Sequence, residues 1–332
     1  MTGFVPTLEV RDLTISVQLP DGDRGIVVDR FSLRVDAGAS AGLVGESGSG
    51  KTMTSLAIMG LLPPAARVES GEILLEGEDL LRKSPREMQR LRGRRLAMVL
   101  QDSLTALDPS FTVMSQLEEP LRMHRGLRGA ELRNGVIGAM EQVQLSASPE
   151  RLQQYPHQLS GGMRQRVTSA IALAGGPRLL IADEPTTALD VTTQARYLQL
   201  LRDLQRETGF ALILVAHDLF VVRHVCDRVV VMYAGESVEE GAVADVFRSP
   251  QMPYTKALLA AVPSLNDAMQ LQAIDGQAPD VGQWTEGCRF APRCRFAREI
   301  CQASHPELTA RGTGRVARCW GTEPDGWIGT RP

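Results

Sequence analysis

Apolar and polar side chains alternate over residues 7–16 and again over 27–35, the two-residue period of paired strands that bury one face. The apolar run ASAGLVG at 39–45 follows, then a Gly/Ser-rich turn and the helical stretch TMTSLAIMGLL, which together predict strand, loop and helix. GEILLEGEDL at 71–80 predicts another strand, and LAMVLQ at 96–101 a buried strand ending in a polar residue. From about 102 to 175 the pattern turns helical, interrupted by DPS at 108–110 and YPHQLSGG at 155–162. Beyond it come LLIAD at 179–183, a helix near 191–208, ALILVA at 211–216, a short helix and RVVVMYAG at 228–235. Short apolar β-runs separated by helices predict an α/β fold with a mostly parallel sheet covered on both faces. Near Pro250 the composition shifts: PYTKALLAAV reads as a helix, followed by a Pro/Gly/Gln-rich linker and a cysteine-rich tail.

The 332 residues suffice for one large domain with an appendage, or for two modest domains. Lys and Arg number 36 against 39 Asp and Glu, a net charge of -3, so no global basic field would hold nucleic acid or an anionic membrane. The longest apolar stretches, AIALAGG at 170–176 and FALILVA at 210–216, fall well short of a membrane helix of roughly 20 residues. The opening MTGFVPTLEVRDLTISV lacks the sections of a signal peptide. The expectation is a cytosolic chain that meets a membrane through a partner.

GESGSGKT at 45–52 has the full spacing of a phosphate-binding loop and lies between a predicted strand and a predicted helix, the context that chemistry requires. Glycines let successive N–H groups converge on phosphate oxygens at a helix N-terminus; Lys51 reaches the β/γ-phosphates and the Thr52 hydroxyl can ligate Mg²⁺. The predicted nucleotide contacts are Gly45, Glu46, Ser47, Gly48, Ser49, Gly50, Lys51, Thr52 and Met53, although the Met53 side chain itself reads as core. LLIADEP at 179–185 delivers Asp183 and Glu184 to a strand's C-terminal end, with Asp183 assigned to Mg²⁺ and Glu184 to polarising the attacking water. His217 emerges after the strand ALILVA and is placed for the γ-phosphate; Gln101 ends LAMVLQ and is placed for the metal or the water. Asp102 reads as a helix cap.

LSGGMRQR at 159–166 is a second Ser-Gly-Gly turn opening a helix, and one ATP has no evident use for both turns within one subunit. Here the chain resembles the ATP-binding cassette (ABC) ATPases, in family order over residues 7–248: P-loop, Gln101, signature turn, Asp183/Glu184, ALD at 188–190 and His217. The resemblance implies a P-loop cassette with a mostly parallel RecA-like sheet, a small antiparallel β-subdomain and a helical subdomain at about 102–165. It implies that Ser160, Gly161 and Gly162 bind the γ-phosphate held by an opposing subunit. It also implies that Asp190 communicates across that dimer, His217 acts as the γ-phosphate switch and Gln101 couples to the membrane partner. One departure is that residues 15–30 hold no aromatic to stack on adenine, and Phe31 reads as core.

VGESGSGKT, LQDSLTALDP, YPHQLSGGMRQR and LIADEPTTALD more closely resemble the ATPases of bacterial oligopeptide/dipeptide and nickel permeases. The extension from 249 to 332 agrees: SPQMPYTKALLAAVPS is similar to that group's tail, with Met252 where the group carries histidine. The resemblance implies an ATP hydrolase that energises peptide import, with nickel or another small solute as an alternative. A soluble cassette ATPase acting on nucleic acid is the competing class. Implied partners are a second ATPase subunit (paralogue or self), two membrane permease subunits and an extracytoplasmic solute-binding protein, with the chain peripheral on the cytoplasmic face of the inner membrane.

Four of five cysteines, Cys288, Cys294, Cys301 and Cys319, crowd the tail, and four soft ligands suit an iron–sulfur cluster or tetrahedral zinc. The zinc-ribbon CxxC pairing is missing, and the resemblance favours [4Fe-4S] over Zn²⁺. Reduced, partly buried thiols remain the plain alternative. Trp284, Phe290, Phe296 and Trp320 are expected to pack around these cysteines, and Cys226 to fill a buried apolar site.

Overall fold

A computed structural model describes residues 5–100, 106–187, 189–261, 274–322 and 327–328. The chain divides into two compact units, residues 9–34, 41–73 and 215–332 on the one hand and residues 1–8, 35–40 and 74–214 on the other.

In the first of these, β1 (Leu8–Gln18), β2 (Arg24–Val35) and β4 (Ala66–Leu75) lie in the order β2-β1-β4. The predicted alternation runs through β1 with one change of parity. Leu8 and Val10 are buried, Asp12 takes a left-handed φ of 44°, and burial resumes at Leu13 and Ile15. Arg30 at φ 46° does the same in β2, setting Phe31 into the core as expected. β4 begins five residues before the strand read from sequence and stops where Glu76 and Gly77 both turn left-handed.

A separate sheet of this unit pairs β3 (Ser40–Val44) in parallel with β9 (Arg228–Tyr233), in register from Ala41 with Arg228 to Val44 with Val231. β10 (Glu236–Ala242) returns antiparallel to β9, and the tail adds β12 (Val316–Ala317) and β11 (Thr309–Ala310) beyond it. The sequence reading missed β10. Its helices are α1 (Lys51–Met59), α8 (Leu219–Val225), α9 (Val243–Arg248), α10 (Pro253–Ala260) and α11 (Glu299–Ala303). Pro253 sits at the first position of α10, where a missing N–H costs nothing.

The second unit carries β5 (Glu78–Asp79), α2 (Pro85–Leu91) and a three-strand succession β8-β7-β6, made of β6 (Leu96–Val99), β7 (Leu179–Asp183) and β8 (Ala211–Ala216). β6 and β7 are parallel, and every residue of β7 and β8 is buried, as continuous aliphatic runs require. α2 is a second element missed from sequence, although Ser84 and Glu87 form a capping box at its start. The helical stretch resolves into α3 (Val113–Arg125), α4 (Gly129–Gln142), the single turn α5 (Pro149–Leu152) and α6 (Gly161–Leu173). α7 (Val191–Thr208) occupies the predicted span and ends at Gly209, left-handed at φ 73°. Among the described residues no helix is long and apolar enough to cross a membrane.

Candidate nucleotide site and the cysteine cavity

β3 ends at Val44 and the chain turns through Gly45–Gly50 into α1. Space and backbone angle explain two of the glycines. A Cβ on Gly45 would lie 2.1 Å from the Met232 carbonyl oxygen, and Gly50, at φ 100°, would meet the Val27 carbonyl oxygen at 2.9 Å. The Ser49 carbonyl accepts the Gly235 N–H at 3.2 Å, so the loop is pinned to the turn joining β9 and β10. Gly50 has no side chain with which to cap α1, so no capping group competes with an anion for the first-turn N–H groups. Lys51 is 4% exposed and donates to the Gly45 and Glu46 carbonyls at 2.7 and 2.8 Å, arching its ammonium over the loop. Ser47, Gly48 and Thr52 are exposed, and Met53 is half-buried.

In the other unit, β7 carries Asp183, 3% exposed, as its last residue. Glu184 follows at φ 42°, a left-handed conformation uncommon for a side chain with a Cβ, and its carboxylate accepts the Thr187 hydroxyl at 3.2 Å. Ser160 caps α6 by accepting the Met163 N–H at 3.4 Å, and Asp190 caps α7 by accepting the Thr193 N–H at 3.0 Å. The two caps are neighbours: a Cβ on Gly162 would come within 2.5 Å of the Thr193 Cγ2. The structure thus brings Gly162 of the Ser-Gly-Gly turn against the first turn of the helix capped by Asp190. The hydrogen bonds from Thr193 hold the Asp190 carboxyl below its usual pKa. His217, which follows β8 and belongs to the first unit, is exposed; Gln101 and Asp102 lie outside the described residues.

Sequence reasoning did not foresee contacts to the P-loop from the tail. Glu46 accepts Arg293 at 2.8 and 3.2 Å, and its N–H donates to the Tyr254 hydroxyl at 2.8 Å. Trp284, expected beside the cysteines, instead lies under the Arg289 guanidinium at 3.5 Å and touches Gly235. The other three aromatics do line one small apolar cavity with all four tail cysteines, joined by Met252, Trp327 and Ile328. Burial pushes the Cys288 thiol up to about 12 and raises those of Cys294 and Cys319. Among the described residues no group of three or more His, Cys, Asp or Glu side chains is arranged to hold a metal ion.

A family profile described as "ABC transporter" matches residues 28–187, and one described as "Oligopeptide/dipeptide transporter, C-terminal region" matches residues 238–301. The dipeptide transport ATP-binding protein DppD of Bacillus subtilis is 45% identical, over 94% of this chain and 94% of its own. The oligopeptide transport ATP-binding protein OppD of Salmonella typhimurium is 44% identical, over 94% and 93%. The chain belongs to the ABC transporter ATP-binding proteins of the oligopeptide/dipeptide group. Its cassette superposes with a TM-score of 0.63 on a dimeric ATP-binding cassette solved in a post-hydrolysis state with ADP and Pi, 27% identical over 71% of this chain and 98% of that one. In β2, Phe31 is fully buried and offers no face to a base. Arg293 and Tyr254, which grip this cassette's P-loop, gave no signal in sequence because they follow it by more than 200 positions.

Proposed function

We propose that the chain is the ATP-hydrolysing subunit that energises import of oligopeptides or dipeptides through an ABC membrane permease. The observation that carries this reading is the Gly45–Thr52 turn, whose backbone has no room for side chains at Gly45 and whose lysine is gathered over it. The names of the dipeptide and oligopeptide relatives support the substrate class. In this reading residues 45–53 bind ATP, with Lys51 on the β/γ-phosphates, and Thr52, Asp183 and Gln101 supply the hard oxygen donors that Mg²⁺ prefers. Glu184 polarises the attacking water, a task for a carboxylate beside the metal rather than on it. His217 senses the γ-phosphate, while Ser160, Gly161 and Gly162 serve the ATP of a second ATPase subunit and Asp190 relays between the two.

The chain then acts on the cytoplasmic face of the bacterial inner membrane, against two permease subunits fed by a solute-binding protein. Residues 1–248 form the cassette, with its helical subdomain at about 102–165, and 249–332 the group-specific extension. The four cysteines are soft donors lining one apolar cavity, and by the family resemblance a [4Fe-4S] cluster is the group they would hold, with Zn²⁺ as the alternative. Such a group, when bound, supplies folding energy to the tail. Iron and acid-labile sulfide should accompany anaerobically purified protein, and C288S should lose both; protein lacking them would remove the cluster.

The transport reading is tested by reconstituting the chain with its co-purified permease in vesicles. ATP turnover should rise when the binding protein carries peptide. Stimulation by a nickel chelate instead would reassign the solute, and stimulation by DNA or RNA without any permease would overturn transport.

A further inference from the structure

Glu46 is the second residue of the P-loop, and its carboxylate is held by Arg293 of the tail. Its carboxylate accepts both terminal nitrogens of Arg293, at 2.8 and 3.2 Å, and the Arg293 side chain is only 6% exposed. Arg293 is itself fixed on the far side, where its Nε donates to the Asp275 carbonyl at 2.9 Å and a terminal nitrogen to the Tyr233 hydroxyl at 3.3 Å. The Glu46 N–H donates to the hydroxyl of Tyr254, a fully buried ring packed against Tyr233 and Phe290 with centroids 4.6 and 5.4 Å away. The Glu46 carbonyl, in turn, accepts Lys51 at 2.8 Å. One residue therefore joins the nucleotide lysine to two side chains of the extension.

We propose that the extension acts as a latch on the P-loop, with Arg293 and Tyr254 as positioning residues that hold Glu46, and through it Lys51, in the conformation that receives the triphosphate. The physical reason is pre-organisation. A Gly-rich loop has many backbone states, and a bidentate charge-assisted pair with low solvent exposure removes most of them before nucleotide arrives. Arg293 closes the short turn Ala291–Arg293, between Cys288 and Cys294 of the cysteine cavity, so the same turn shapes the latch and carries two of the cavity's thiols. This inference rests on ATP binding at residues 45–53 and goes beyond it.

The test is steady-state ATP hydrolysis by the full chain in its complex. R293Q should raise KM for ATP about tenfold with kcat little changed, the signature of lost ground-state organisation. R293K, which keeps the charge but not the fork, should fall between the two. E46Q should match R293Q, and the double variant R293Q/E46Q should be no worse than either, because both break one contact. Y254F, which keeps the packed ring and removes only the acceptor, should raise KM about threefold. Melting temperature and iron content, measured alongside, separate a latch from a damaged tail. Additive KM effects in the double variant, or an unchanged KM in both R293Q and Y254F, would overturn the latch while leaving the ATPase reading intact. Wild-type protein without ATPase activity would instead strike the ATPase reading itself.

Discussion

The strands β7 and β8 and the strand β10 with its tail are buried by opposite means. Leu179, Leu180, Ile181 and Ala182 of β7 and the six residues of β8 are aliphatic and closed to solvent, and need no partner beyond neighbouring side chains. β10 buries carboxylates. Glu236, 3% exposed, accepts His305 at 2.8 Å and lies 3.4 Å from Arg318 and 3.9 Å from Arg289. Glu239, wholly buried, accepts the N–H groups of Gln251 and Met252 at 2.8 and 2.9 Å and pairs with Arg315 at 3.2 Å. Burying a charge is unfavourable unless it is paired, so the tail is specified by a small set of matched partners rather than by area. A region built this way is demanding about its partners and sensitive to solution conditions; the aliphatic strands are neither.

That contrast is broken most severely at Glu236. Glu236→Ala leaves the buried Arg318 guanidinium and the His305 imidazole without their carboxylate, while Arg289 keeps Asp29, and should weaken the tail by about 3–5 kcal/mol, read as faster hydrogen exchange at the amides of β11 and β12. Protection unchanged there would mean the cluster is not what holds the tail. Leu180→Ala in β7 should cost about 2–5 kcal/mol in denaturant unfolding, equally at low and high salt, because a cavity has no charge to screen. A salt-dependent cost would blur the comparison.

A gentler probe is pH. The His305 Nε2 faces Glu236 and its Nδ1 faces the Gly287 carbonyl at 3.0 Å, an arrangement in which both nitrogens donate. The hydrogen bond to Glu236 raises its pKa, with burial and Arg318 opposing. A pKa raised by folding stabilises fully below the ordinary histidine range, and that contribution is lost as pH climbs through the raised folded value. Tail protection should therefore fall as pH rises above the ordinary histidine range in the wild type and lose part of that slope in His305→Gln. Identical slopes in the two proteins would remove His305 from the account.

The same contrast sets what the sequence could reveal. β7, β8 and α7 are legible because aliphatic runs and a helical period report burial directly, and the P-loop is legible because Gly45 and Gly50 answer local backbone demands. β10, read as ESVEEGA, looks solvated, since the arginines and histidine that meet Glu236 and Glu239 lie 53 to 82 positions later. Trp284 was misplaced for a related reason: proximity to cysteines in sequence said nothing of Arg289 lying over its ring. The parity change at Asp12 was hidden because a bulge needs only one left-handed residue, and aspartate tolerates that without a glycine to mark it.

In the proposed reading Glu184, left-handed directly after β7, activates water against ATP bound by the Lys51 loop. Glu184→Gln should still bind ATP with near wild-type affinity, release phosphate at least 100-fold more slowly, and accumulate as a nucleotide-loaded dimer with its partner ATPase subunit, seen by size-exclusion chromatography with light scattering. Phosphate release at the wild-type rate by Glu184→Gln would take the water-activating role away from that carboxylate.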